Sequence, residues 1–184
     1  MRRIFPVPPG IAKQVKDYFP EQFKTVGQDF LCRIYFGKEQ SASTAPKQFF
    51  NANNFPLYPD RVRRLGFSVD ALARSMGKIL GRMVHNGGLD PRDVEFVMGA
   101  SDNDPLGAPD LFVIDFNQVT PHKGSMEQVA RSLIINDPYF PKPHMNGYAA
   151  FKDGWLTAAR GEQLEDDADK MFKILEAQWG WDSK

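Results

Sequence analysis

The sequence predicts an α+β domain that is mainly helical. Two long stretches carry apolar residues at helical spacing, one early run reads as a single strand, and two short apolar runs in the middle read as a hairpin. The chain has 184 residues, the size of one ordinary domain, and it buries a core without disulfides or a structural metal. We therefore expect a single domain over residues 1–184.

The N-terminal part is predicted to hold one helix and one strand. The helix begins after Pro9 and ends before Pro20, and four apolar residues share its face: Ile11, Val15, Tyr18 and Phe19. The run "FLCRIYF" (30–36) mixes aromatic and β-branched residues, which is typical of a strand. A small polar loop, "GKEQSASTAPK", follows it. "QFFNANNFPLY" then predicts a short strand and after it an irregular segment rich in asparagine.

The middle of the chain predicts a long helix and a hairpin. Ser68 can cap a helix from Val69 to about Val84, and "HNGG" stops it because glycine accepts the left-handed conformation at a helix end. Residues 94–98 and 111–114 are short apolar runs separated by a loop of turn-forming residues.

The C-terminal part predicts two more helices. Ser125 and Gln128 have the spacing of a capping box for a helix to about Ile135. "NDPYFPKP" is rigid, aromatic and irregular. The last helix is predicted from about Glu162 to Trp179, with its apolar face formed by Leu164, Ala168, Met171, Leu175 and Trp179.

Composition excludes several classes of partner. Acidic and basic residues balance at 23 each, so no overall field attracts nucleic acid or an anionic membrane, and "DRVRRLG" is interpreted as a solvated helix entry. Cys32 is the only cysteine and is predicted to be a buried, inert thiol; with His85, His122 and His144 it has no zinc-finger spacing. The start of the chain lacks the apolar stretch of a signal peptide, and no run is long enough to span a bilayer. We expect an intracellular protein whose partner is a small molecule or a protein.

The hairpin is predicted to bring two acids together. If residues 94–98 and 111–114 pair with equal lengths, Asp93 lies directly opposite Asp115, with Cβ atoms about 5 Å apart. Two carboxylates at that separation share a proton or bind a cation, and hard oxygen ligands suit Mg²⁺. Asp90 is expected nearby. The alternative is that the acids accept backbone N–H groups in turns, and that Asn117 and Gln118 satisfy a buried loop.

Two other features have a structural and a functional interpretation. His85 closes an apolar helix, and we favour a capping or packed histidine over a catalyst. The aromatic segments "FFNANNFPLYP" and "NDPYFPKPHMNGY" could line the mouth of a pocket, but we favour loops that pack over the helices.

The segments "HNGGLDPRDVEFVMG" and "LFVIDFNQV" together resemble the catalytic segment of the protein-kinase-like and aminoglycoside-phosphotransferase-like superfamily. "GLDPRDVEFV" is similar to the catalytic loop, and Asp115-Phe116-Asn117 to the metal-binding tripeptide. The resemblance implies a large helical lobe over 51–184, a much reduced N-terminal lobe over 1–50, and cofactor contacts from Asp90, Asp93, Asp115 and Asn117, with metal at Asp93 and Asp115.

The departures from that pattern predict that phosphoryl transfer is lost. Gly88 stands where the family has its catalytic aspartate, Asp93 where it has a metal-binding asparagine, and Asn117 where it has a glycine. The chain has no G-x-G-x-x-G, and Lys38 comes too late to contact ATP. We expect a degenerate kinase-like binding or regulatory module; the alternative is a metal-dependent enzyme, a phosphotransferase or an enzyme of secondary metabolism, that uses Asp93 and Asp115.

A closer resemblance covers nearly the whole chain. The segments "FLCRIYFGK", "FFNANNFPLYPDRVRRLG", "LDPRDVEFVMG", "LFVIDFNQV" and "NDPYFPKP" are similar to an uncharacterised fungal domain family whose members are often labelled zinc-finger proteins. This resemblance implies a fungal source, a domain of unknown function and a version shortened at its N-terminal side. The residues give the zinc-finger label no support.

Overall fold

The computed structural model describes residues 3–25, 27, 29–39, 51–101, 108–136, 138–160 and 164–181. The helices are α1 (Pro9–Lys16), α2 (Pro59–Arg64), α3 (Val69–His85), α4 (Met126–Ile135), α5 (Tyr148–Arg160) and α6 (Glu165–Trp181), with a 3₁₀ turn at Glu21–Phe23. The strands are β1 (Leu31–Ile34), β2 (Asn54–Leu57), β3 (Leu89–Asp90), β4 (Glu95–Gly99), β5 (Asp110–Ile114) and β6 (Thr120–Pro121). The predicted α+β class, mainly helical, is confirmed.

Strands β1, β2, β4 and β5 form one sheet in the order β2-β1-β4-β5, and β3 and β6 form a separate two-stranded ribbon. Strand β2 is parallel to β1, whereas β4 is antiparallel to both β1 and β5. Because β1 pairs directly with β4, the predicted division between lobes at residue 50 falls within a single sheet rather than between two. Among the described helices, none is both long and apolar enough to cross a membrane.

Strand β2 corrects the prediction for "QFFNANNFPLY". Residues 54–57, which were predicted to belong to the irregular segment, form a strand that follows the asparagine-rich residues 51–53. Pro56 concealed the strand, since proline lacks the N–H that a central strand donates. Strand β2 lies at the sheet edge, so this N–H is not needed. Residues 48–50, where the strand was predicted, and residues 40–47 of the preceding loop lie outside the described residues.

One face of the sheet packs against the helices. Burial alternates along β1 and β2, whereas β4 is buried on both faces, and the side chains on the core face are Cys32, Ile34, Phe55, Leu57, Phe96 and Met98. The Cys32 thiol is fully buried, and burial raises its pKa to about 12. The predicted buried thiol is therefore confirmed, and at neutral pH it stays protonated and unreactive.

Helix α3 begins and ends where the sequence predicted. The Ser68 Oγ accepts a hydrogen bond from the Ala71 N–H at 3.2 Å, and the helix ends at His85, after which Gly88 has a φ of +63°. The Trp155 Nε1–H donates to the Nε2 of His85 at 2.9 Å, with the two rings edge to face. His85 is therefore packed, as we favoured.

Helix α5 was not predicted, although it forms the most extensive contact in the fold by packing along α3. Glycines permit the close approach of the two backbones. A Cβ at Gly77 would lie 1.9 Å from the Phe151 carbonyl oxygen, and one at Gly154 would lie 2.0 Å from the Arg74 carbonyl oxygen. The apolar spacing of Phe151, Trp155 and Ala159 carried a helical signal, but the glycines interrupted it.

Candidate binding site at the end of the central hairpin

The β4–β5 hairpin exists, but its predicted register is wrong by one residue. The observed pairs run from Glu95 with Ile114 to Gly99 with Asp110. Continuing this register places Asp93 opposite Phe116 rather than opposite Asp115. The physical reason is a turn, in which the Val94 N–H donates to the Pro91 carbonyl at 3.2 Å, so that strand β4 begins only at Glu95. The two acids flank the same end of the hairpin without being directly opposed.

Asp93 is held by long-range hydrogen bonds to two amide side chains. Its N–H donates to the Asn136 Oδ1 at 2.8 Å, and its carboxylate accepts from the Gln118 Nε2 at 2.5 Å. Asn136 is buried and also donates from Nδ2 to the Pro91 carbonyl at 2.9 Å. The sequence interpretation that Gln118 satisfies a loop is consistent with this bond. The role of Asn136 was missed, because nothing in its local sequence signals a partner 43 residues away.

Asp115 has a different environment. It has a φ of +64°, and Asp93 a φ of +62°, so both adopt the left-handed conformation that non-glycine residues rarely adopt. Asp115 is exposed and makes no hydrogen bond or ion pair with the described part of the chain. Asn117, in the turn that follows, is also exposed. Strained conformations of this kind persist where the surroundings enforce them, frequently at binding sites.

Asp90 is buried in β3 and fully used by the fold. Its Oδ1 accepts the Arg92 N–H at 3.1 Å, and its Oδ2 accepts the Gln128 Nε2 at 2.7 Å. Half of the predicted capping box is therefore present: the Ser125 Oγ accepts the Gln128 N–H at 3.2 Å, but the Gln128 side chain bonds Asp90 instead of returning to the cap. Asp90 lies near Asp93, as expected, with a structural role of its own.

Metal ligands are sparse around these acids. Within the described ranges, no group of three or more His, Cys, Asp or Glu side chains is placed to hold a metal ion. The buried His122 accepts the Gly124 N–H on Nδ1 at 3.1 Å, and its Nε2 lies 3.1 Å from the Val84 carbonyl, so both ring nitrogens are engaged. Asp93 and Asp115 thus remain a candidate pair of oxygen ligands, with water completing any coordination.

A polar cavity of about 490 Å³ opens beside this end of the hairpin. It lies between the β3–β6 ribbon and α4, and its lining residues are Asp90, Arg92, Gln118, Thr120, Ser125, Glu127, Gln128, Arg131, Ser132 and Ile135. Ile135 and Phe116 are the exposed large hydrophobic side chains among the described residues, at 54% and 55%. Gln118 joins the cavity to Asp93, and Phe116 begins the turn that carries Gln118.

A second polar cluster lies on the other face of the sheet, away from the cavity. The Arg33 Nη2 lies 3.0 Å from the Glu95 Oε2, without the alignment of a hydrogen bond, and the Tyr139 hydroxyl donates to the Glu95 Oε1. Burial, and then the bond to Glu95, raise the pKa of Tyr139. For Arg33, burial alone lowers the pKa, but the bond with Tyr35 and the charge of Glu95 outweigh it and raise the pKa. Glu95 was not a predicted site residue.

The aromatic segments pack, as we favoured. The Tyr35 ring stacks on Tyr139 with centroids 5.3 Å apart and lies 6.0 Å from Tyr58, so the two segments meet across β1. The interpretation of "DRVRRLG" as a solvated helix entry is wrong for Arg61. Arg61 is buried, its Nη1 donates to the Pro56 carbonyl at 2.8 Å, and its guanidinium lies 4.7 Å from the Phe55 ring centre. Aromatic neighbours, not water, cover this charge.

Comparison with known proteins identifies a family that is similar to part of the chain. A family of unknown function, described as "Zinc finger protein", matches residues 111–161, from β5 to α5. No curated protein matches the chain, and no solved structure matches it. The matched segment contains His122 and His144 and no cysteine, so it holds too few ligands for a zinc finger. Over these residues the chain is similar to a domain of unknown function.

Proposed function

We propose that this chain is a degenerate kinase-like domain that acts as a binding or regulatory module, with its ligand site at the end of the β4–β5 hairpin. The observation that carries the proposal is Asp115, a carboxylate that is exposed, left-handed and without a partner in the described part of the chain. A residue that only closed a turn would use its carboxylate there. Asp93 supports the site because Gln118 and Asn136 hold it in place.

The loss of phosphoryl transfer follows from Gly88. The kinase resemblance puts a catalytic base at this position, but glycine has no side chain to accept a proton. The φ of +63° at Gly88 shows what the residue does instead, since it turns the chain out of α3 without a steric cost. The resemblance over nearly the whole chain implies a fungal source, and we propose that the module works inside the cell on a small molecule or a protein.

An alternative is a metal-dependent enzyme that uses Asp93 and Asp115 to hold Mg²⁺. The exposure of Asp115 favours this alternative, because a free carboxylate can take an ion that keeps most of its water. Asp93 is less available, since one of its oxygens already accepts a bond from Gln118. The alternative therefore requires Gln118 to release Asp93 or to contribute its own carbonyl oxygen.

Calorimetric titration with Mg²⁺, Mn²⁺, ATP and GTP tests the proposal, with ADP release measured on the same samples. Asp93→Asn and Asp115→Asn are the test variants, and Asp166→Asn, at an exposed position in the first turn of α6, is the matched control. The binding module predicts that ligand binds, that both test variants weaken it roughly tenfold, a loss of one charged contact, and that no ADP forms.

Other results would support the alternative or overturn the proposed site. ADP formation that requires a divalent ion and disappears in both test variants supports the enzyme. Absence of binding by all four ligands, with every variant folded, overturns the proposed site and leaves the acids as turn residues. A loss of binding in Asp166→Asn equal to that in the test variants indicates general charge attraction instead of a site.

A further inference from the structure

The cavity beside the hairpin contains an imbalance between its positive and its negative groups. Both acids in its lining are already used: Asp90 accepts bonds from Gln128 and from the Arg92 N–H, and Glu127 pairs with the Lys170 Nζ at 2.9 Å. The bond from Lys170 lowers the pKa of Glu127, so this carboxylate stays charged and engaged. Both acids therefore already have partners within the protein, although the hydrogen bonds to Asp90 come from neutral groups and leave its charge in place.

The two arginines of the lining are in the opposite situation. Arg92 and Arg131 are exposed, and neither makes a side-chain hydrogen bond or an ion pair within the described part of the chain. Arg92 stands in the turn before β4, and Arg131 lies in α4, so two separate elements bring guanidinium groups to one cavity. A guanidinium group offers paired N–H donors that match phosphate and carboxylate oxygens.

The rest of the lining fits an anionic group. Thr120 and Ser132 contribute hydroxyl groups to the same cavity. Ser125 and Glu127 place the N-terminal end of α4 at its edge, where the helix dipole favours negative charge. A volume of about 490 Å³ lies within the range of roughly 300–1,000 Å³ usual for small-molecule pockets. The lining thus supplies donors on several sides, in a space that holds a small molecule.

The apolar part of the lining is at its rim. Ile135 lines the cavity with 54% of its surface exposed, and Phe116, 55% exposed, begins the turn that brings Gln118 to the lining. Exposed apolar side chains beside a polar cavity commonly contact an apolar part of a ligand. The rim therefore adds a second recognition element to the anion-binding donors.

We propose that this cavity binds a small anionic molecule whose phosphate or carboxylate group contacts Arg92 and Arg131 and whose apolar part lies against Ile135. The inference rests on the proposed function, because it names the class of ligand for that binding module. It assigns recognition of the anion to the arginines. Asp93 and Asp115 are not required for it.

Titration with four probes in metal-free buffer containing a chelator tests the inference. Phenyl phosphate and phenylacetate carry an anionic group and a ring, inorganic phosphate carries the anion alone, and benzyl alcohol carries the ring alone. We expect at least one of the two ring-bearing anions to bind, more tightly than inorganic phosphate, and benzyl alcohol not to bind. The better of the two identifies the source of the charge as a phosphate or a carboxylate.

The variants separate the two parts of the site. Replacing both arginines, Arg92→Gln with Arg131→Gln, is expected to weaken the ring-bearing anion by roughly tenfold or more, while Arg64→Gln, at an exposed arginine at the end of α2, leaves it unchanged. Ile135→Ser is expected to reduce the advantage of phenyl phosphate over inorganic phosphate. Because all these side chains are exposed, the variants should retain the melting temperature of the parent.

The inference is overturned if no anion binds at millimolar concentration, if benzyl alcohol binds as well as the anions, or if Arg64→Gln weakens binding as much as the double variant. Asp93→Asn and Asp115→Asn, titrated alongside, keep the two proposals distinct. Anion binding that survives both aspartate variants but not the arginine variants supports the cavity even if the aspartate site fails. Anion binding that survives the arginine variants but not the aspartate variants retains the aspartate site and overturns recognition of the anion by Arg92 and Arg131.

Discussion

Two regions of the molecule differ in how their side chains are used. One is the contact between α3 and α5, and the other is the end of the β4–β5 hairpin. Between the helices, glycines allow the two backbones to approach closely. The Trp155 N–H donates a hydrogen bond to His85, so this polar group also has a partner inside the contact. At the hairpin end, Asp115 has a left-handed backbone and no side-chain partner among the described residues, and Phe116 is exposed, so neither side chain adds visibly to the packing. On the proposed function, the first region is shaped by folding and the second by a ligand.

The regions also differ in what a substitution should change. In the contact between α3 and α5 the buried side chains are closely packed, so a change in their size should cost stability. At the hairpin end, the exposed groups can be replaced with little loss of stability, so a change there should appear in binding instead. Stability and binding measured on the same variants therefore separate the two regions.

Gly77→Ala should have the largest effect. The new Cβ would lie 1.9 Å from the Phe151 carbonyl oxygen, and this backbone atom cannot move without displacing α5. The gain of about 1 kcal/mol in helix propensity does not offset the strain, so we expect the free energy of unfolding to fall by about 3 kcal/mol. Urea denaturation measures it. Gly10→Ala is the control, since nothing lies within 4 Å of its Cβ; a Gly77→Ala variant as stable as this control contradicts the packing of α3 on α5.

Arg33→Met tests how much the largely buried ion pair between Arg33 and Glu95 contributes to stability. Glu95 is buried, and loss of Arg33 leaves its carboxylate with the Tyr139 hydroxyl as its one close partner among the residues that the structure describes. Because Arg33 is itself 22% exposed, we expect a loss of about 2 kcal/mol, below the full cost of breaking a buried pair. Adding Glu95→Gln removes the stranded charge and should recover part of the loss. If the double variant is no better than Arg33→Met, the charge of Glu95 is not the cause.

Asp115→Gly tests whether the hairpin end, unlike the packed regions, tolerates a substitution without loss of stability. Glycine adopts a φ of +64° freely, and Asp115 has no partner to lose in the described part of the chain. We expect the free energy of unfolding to stay the same or to rise by up to about 1 kcal/mol, while Asp115→Ala, which keeps the strain, should not be stabilised. Thermal unfolding compares them. A clear loss of stability in Asp115→Gly would show that the carboxylate holds the turn.

The elements that sequence predicted are those whose signals are local. Helices α3 and α4 have serine caps and apolar stripes within the helix itself, and both begin where predicted. Helix α5 was missed because Gly154 is typical of a helix break. A glycine is required at this position because the backbone of α3 leaves no room for a Cβ. Strand β2 was predicted to be irregular because Pro56 is acceptable only in an edge strand, and the position of β2 at the edge depends on the tertiary order of the sheet.

The candidate site, like the fold, was predictable only where its signals are local in the sequence. The spacing of acids around the hairpin placed Asp90, Asp93 and Asp115 at one end of it, but the register missed by one residue because the turn from Pro91 to Val94 delays the strand. The side chains that position these acids come from far along the chain. Gln118 is 25 residues from Asp93, and Gln128 is 38 from Asp90, so no local pattern identifies either pair.

Glu176→Gln should have the smallest effect. It tests how much a polar contact between α5 and α6 contributes to stability. Partial burial alone would raise the pKa of Glu176, but hydrogen bonds donated by Lys152 at 2.6 Å and Tyr148 at 2.9 Å outweigh it and hold the pKa below its ordinary value. The folded-state pKa is thus the lower one, so the stabilisation is present at neutral pH and is lost as the pH falls through the folded-state pKa. Since 38% of the side chain is exposed, we expect less than about 1 kcal/mol.

Unfolding free energies of the parent and of Glu176→Gln between neutral and acidic pH measure this contribution. The two proteins should differ slightly at neutral pH and converge as the carboxylate is protonated. Glu165→Gln, at an exposed position in the first turn of α6, is the control for a carboxylate without this pair of donors. A difference that grows on acidification would reverse the sign of the pKa shift. It would also mean that the ionised carboxylate of Glu176 does not help to hold α5 and α6 together, which leaves apolar contacts such as that between the Phe151 and Phe172 rings, whose centroids lie 6.4 Å apart.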